Sequence, residues 1–138
     1  MATLADDAAR GLELARRATE LAQMEGSPFN VGLAERAAGR AARATGDAPA
    51  GEAHLGRALE AFESTGATFE AAMTRLEVVR ALAARGETPG AQTRLAEAIA
   101  ALHVARVPRR VAEARALASA LGLEPSGARP DVPAAEQD

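Results

Sequence analysis

The sequence predicts an all-α fold, a superhelical stack of about six antiparallel helices, and three observations carry that prediction. Strand-forming residues are scarce, proline and glycine punctuate the chain regularly, and the chain resembles itself at a shift of 40 residues. Its 138 residues suit one domain. Hydrophobic residues make up 48%, yet there is no Trp or Tyr, only three Phe, and Ile99 is the single isoleucine. Alanine takes their place. It is the best intrinsic helix former, whereas strands favour β-branched and aromatic side chains. A core built this way is thin, with helix backbones packed close together.

The elements follow from the punctuation. The first helix runs from about Thr3 to Glu25 and stops at Gly26. Ser27 offers an N-cap oxygen and Pro28 a pre-set φ, opening a second helix that ends near Gly46. Asp47 and Pro49 open a third to about Thr65, closed by Gly66, and a fourth spans Ala67 to Arg85, closed by Gly86. Thr88 and Pro89 open the fifth, and Pro108 opens the sixth, which ends at Gly122. Apolar residues keep helical spacing at Phe69, Met73, Leu76, Val79 and Leu82, and again at Ala91, Leu95, Ala98, Ile99 and Leu102. The fourth and fifth helices should therefore form the best-packed hairpin. The helical domain covers residues 1–122. Residues 123–138 hold three prolines and almost no large apolar side chain, so they cannot repay their ordering entropy and should form a disordered tail.

Shifting the chain by 40 residues without gaps lays Gly26 on Gly66, Phe29 on Phe69, Arg40 on Arg80, Gly46 on Gly86 and Pro49 on Pro89. A period in this range signals a solenoid. Each unit reads as helix, glycine-plus-acid turn, helix. Gly39, Gly46-Asp47, Gly51, Leu55 and Ala58 in one unit, and Gly86-Glu87, Ala91, Leu95 and Ala98 in the next, resemble the small and large positions of a tetratricopeptide repeat. Val79 stands where that family usually has Gly or Ala, and its large helix-A aromatics are replaced by Glu35, Ala42, Arg75 and Leu82. These departures are similar to the longer, Leu/Ala-rich arrays appended to bacterial regulatory ATPases, transcription activators and cyclases. The resemblance makes the second, fourth and sixth helices A-type and the first, third and fifth B-type. The array thus reads as cut at its N-terminal side, a fragment of a longer protein or a minimal array.

Little in the chain suggests catalysis. Without Cys there is no thiolate chemistry, and His54 and His103 stand in no metal-ligand motif. A non-enzymatic protein without cofactor or metal is expected. The net charge of −3 argues against nucleic acid as partner. No membrane span or signal peptide is visible, which makes the cytoplasm the expected compartment.

The tetratricopeptide resemblance implies a concave groove lined by A helices. The matching positions are Leu33, Arg36, Arg40 and Arg43 in one unit and Met73, Leu76 and Arg80 in the next. Arg36, Arg40 and Arg43 share one helix face, and guanidinium groups suit carboxylates. The expected function is an adaptor that holds a protein or acidic peptide in this groove. The alternatives are a regulatory sensor fragment of a larger protein and a homodimer formed through the first helix, whose Leu14 and Leu21 face lacks a covering partner.

Overall fold

A computed structural model describes residues 3–124, which form six helices with 84% of those residues helical and no strand among them. They are α1 (Leu4–Met24), α2 (Pro28–Ala44), α3 (Ala48–Ser64), α4 (Thr68–Ala84), α5 (Thr88–Val104) and α6 (Pro108–Leu121). Each begins and ends within a residue or two of the position expected from the punctuation. No helix among the described residues is long and apolar enough to cross a membrane. Residues 125–138, the bulk of the expected tail, lie outside the described residues.

The helix starts are set by side chains as expected. Thr3 and Asp6 form a reciprocal capping box, with Asp6 N–H donating to Thr3 Oγ1 and Thr3 N–H to Asp6 Oδ2, each at 3.1 Å. Those bonds hold the Asp6 carboxyl below its ordinary value. Asp47 Oδ1 accepts from Ala50 N–H at 3.1 Å and Ser27 Oγ from Asn30 N–H at 3.4 Å.

The helix ends share one device. Gly26, Gly46, Gly66, Gly86 and Gly122 all have positive φ, and the next residue's N–H reaches back to close the helix, as in Asp47 to Ala42 at 2.9 Å and Glu87 to Leu82 at 2.9 Å. The turn after α5 departs from this pattern. It makes the same bonds, Arg106 N–H to His103 O and Val107 N–H to Leu102 O, but its left-handed residue is Arg106 at φ 59°. A side chain costs roughly 1–2 kcal/mol in that conformation. Glycine removes the clash but loses more entropy on folding, so Arg106→Gly is expected to raise the unfolding free energy by about 0.5–1 kcal/mol in urea denaturation.

Successive helices pack as antiparallel neighbours, giving a helical repeat. The largest apolar cluster joins α4, α5 and α6 through Leu76, Val79, Leu95, Leu102 and Val111, with Phe69, Met73 and Ile99 packed on its edge. The large apolar residues expected to pack the α4–α5 hairpin thus lie in or against this cluster, while α2 and α3 approach each other closely through two glycines. A Cβ built on Gly39 would lie 3.1 Å from the Gly51 carbonyl and 3.0 Å from Leu55. The equivalents of this glycine pair are Val79 and Ala91, both fully buried in the α4–α6 cluster.

The boundary at residue 122 also shifts. Leu123, assigned to the tail from sequence, is 2% exposed within the α4–α6 cluster. Its N–H bonds Ala118 O at 2.8 Å and its carbonyl accepts from Gln92 Nε2 at 3.3 Å. This is the apolar residue that commonly seals a glycine-terminated helix.

Candidate functional site

The even-numbered helices place one face each along a groove of about 540 Å³. Three turns of α2 supply Arg36, Arg40 and Arg43, α4 supplies Met73, Glu77 and Arg80 among others, and α6 closes the far side with Arg110, Glu113 and Leu117. The i, i+4, i+7 spacing on α2 is what lets its three arginines face one way. Six of the seven positions expected from sequence line this groove. Leu33 does not. It lies 39% exposed in a separate groove between α1 and α2. Leu76 lines the floor but is only 6% exposed, so it serves the core as much as the surface.

The arginines divide into two kinds. Arg36 is locked into the fold. Its side chain is 13% exposed, with Nη2 at 2.8 Å from Glu70 Oε1 and Nη1 donating to Thr74 Oγ1 at 3.3 Å. Its guanidinium also lies 5.1 Å from the centre of the Phe62 ring. Arg40 is bidentate to Glu77, with Nε donating to Oε1 at 2.9 Å, and these bonds raise its already high pKa. Arg110 Nη1 lies 2.9 Å from Glu113 on its own helix. Arg43 and Arg80 are exposed and, among the described residues, have no carboxylate within ion-pair distance. Both sit near the C-terminal ends of parallel helices, at one end of the groove.

The wall is therefore less basic than the arginines alone suggest. Five arginines face Glu70, Glu77 and Glu113, leaving two positive charges in excess, with Phe69, Met73 and Leu117 between them. Sequence reasoning missed the three glutamates. A signal existed: Glu70 and Glu77 follow Arg36 and Arg40 by slightly less than one repeat, the offset at which α2 and α4 face each other.

The histidines are engaged elsewhere. Glu35, 5% exposed on α2, accepts from Arg57 Nε at 3.1 Å and lies 2.7 Å from His54 Nδ1. One repeat later the charges exchange places, with Arg75 on α4 paired to Glu63 and, at 3.5 Å, to Glu97. His103 Nε2 meets Arg115 Nη2 at 3.1 Å. Each cluster ties neighbouring helices together. No group of three or more potential ligands that could hold a metal occurs among the described residues. Comparison with protein families, curated proteins and solved structures finds no match to this chain.

Proposed function

We propose that this chain is a tetratricopeptide-like adaptor that binds an acidic segment of a protein partner and catalyses no reaction. The observation that carries this reading is the pair Arg43 and Arg80, two guanidinium groups without an acidic partner among the described residues, at one end of a groove whose floor is apolar. They lie within about one turn of each other's level near the C-terminal ends of α2 and α4, neighbouring helices whose axes lie on the order of 10 Å apart. Two carboxylates separated by a few residues of extended peptide match that spacing. Phe69, Met73 and Leu117 would take the apolar side chains between them. The locked pairs Arg36–Glu70 and Arg40–Glu77 shape the wall rather than serve as free anion sites. A cytoplasmic setting fits this reading, and the overall charge of −3 favours protein over nucleic acid as the ligand.

The test is fluorescence anisotropy with a panel of labelled acidic peptides bearing one or two apolar residues. Binding should weaken with salt, because these charges are exposed and screened. Arg43→Glu with Arg80→Glu should weaken it at least tenfold, about 1.4 kcal/mol, with circular dichroism unchanged. Equal affinity of the double variant and the parent chain would place the binding surface elsewhere.

A further inference from the structure

The repeat shows what the uncovered α1–α2 face of the described residues is shaped to accept. Inside the array, α2 lies across α3 and α4. Phe29 meets Phe62 edge-on at 5.5 Å between centroids, Gly32 brings the α2 backbone against the same ring, and Gly39 sits beside Leu55. Arg36 reaches Glu70 and Thr74. The covered surface thus includes Ala58, Phe62, Glu70 and Thr74, with Ala58, Phe62 and Thr74 fully buried.

One repeat earlier those positions are Ala18, Ala22, Asn30 and Ala34, and together with Leu21 and Leu33 they line an open groove of about 410 Å³ between α1 and α2. Among the described residues no helix covers it. Leu21 is 58% and Leu33 39% exposed, and Leu14 beside them is 57% exposed.

A helix suited to that groove exists on the same chain. The α2 positions that do the covering, Phe29, Gly32, Glu35, Gly39 and Arg40, correspond on α6 to Arg109, Ala112, Arg115, Ser119 and Ala120, and all five are exposed. Ala112 and Ser119 are small where Gly32 and Gly39 allow close approach. Charge agrees. Glu25 is the one charged residue in the groove's lining, and α1 with Glu25 carries five carboxylates against three arginines, while the α2 arginines Arg36, Arg40 and Arg43 line the other groove; α6 carries three arginines against Glu113 alone. Two α1 helices facing each other across a two-fold axis would instead oppose like net charges.

We infer that chains associate head to tail, with α6 of one copy seated in the α1–α2 groove of the next. The contact completes an A–B hairpin from two molecules and continues the wall of A-type helices from one copy into its neighbour. It is heterologous, so it builds rings or open chains rather than a two-fold dimer. The reading is independent of the peptide groove, because it uses the ends of the array.

Sedimentation velocity across a concentration series up to the millimolar range tests it. The parent chain should form species that grow beyond a dimer, or a closed ring. Leu21→Glu and Ser119→Glu, both at exposed positions, should each stay folded by circular dichroism and sediment as monomers. Mixing the two should restore a single one-to-one dimer, because one variant keeps a working α6 and the other a working α1–α2 groove. A parent chain that stays monomeric throughout overturns the inference. So does Ser119→Glu dimerising alone, the signature of two-fold pairing through α1, or a mixture that forms no heterodimer.

Discussion

Phe62→Ala is expected to lower the unfolding free energy by about 3–5 kcal/mol, the range for removing a fully buried aromatic ring. The ring is 0% exposed and centres the smaller apolar cluster, with Ala58, Leu59 and Ala71 around it. Phe29 meets its edge and the Arg36 guanidinium its face. It also occupies the space a side chain at position 32 would need, since a Cβ on Gly32 would fall 2.6 Å from the ring. Gly32→Ala alone should therefore destabilise by about 1–3 kcal/mol through overpacking. In the Phe62→Ala background the same substitution should cost little, because the obstruction is gone, and that non-additivity marks direct contact. Urea denaturation at unchanged slope measures each step. A loss below about 1 kcal/mol for Phe62→Ala would place the ring outside the core. Because stability in a repeat array is a sum of neighbour terms, hydrogen exchange in this variant should show α1–α3 opening ahead of α4–α6.

Helix ends were legible in the sequence because the chemistry of ending a helix is local. Gly26, Gly46, Gly66 and Gly86 announce left-handed residues by having no Cβ. The same turn after α5 was marked only by Pro108, since Arg106 adopts the left-handed conformation without advertising it. The apolar face of α4 and α5 was legible for the same reason of local periodicity. What escaped depends on which residues the superhelix brings together. Glu70 and Glu77 are ordinary surface acids in the linear sequence and become the partners of Arg36 and Arg40 only once α2 and α4 lie side by side. Leu33 shares its repeat position with Met73, yet the two line different grooves. α4 stands between α2 and α6, whereas among the described residues only α1 flanks α2 on its other side, so Leu33 faces the groove with α1. Leu123 escaped because the residues after it are poor in apolar groups, while its own burial comes from a helix cap rather than a periodic face.

The division of the arginines leads to a second large effect. Arg36→Ala is expected to cost about 2–4 kcal/mol of stability, combining a charge-assisted hydrogen bond with a desolvated cation–π contact. Three things are lost at once: the ion pair to Glu70, the donor to Thr74 Oγ1, and the cover over the Phe62 ring. Thr74 keeps its bond to the Glu70 carbonyl at 2.8 Å, so the largest penalty falls on Glu70, whose carboxylate is left without its Arg36 partner at 28% exposure. Arg36→Met, which restores an apolar stem over Phe62 but no charge, should recover part of the loss. A double-mutant cycle of Arg36→Ala with Glu70→Ala should give a coupling energy of about 1 kcal/mol or more. Arg80→Ala, at an exposed position without an acidic partner among the described residues, should stay within about 0.5 kcal/mol of the parent. Thermal and urea unfolding of the five variants, the double included, decides the matter. If Arg36→Ala were as silent as Arg80→Ala, Arg36 would belong with the free guanidinium groups of the groove rather than with the fold.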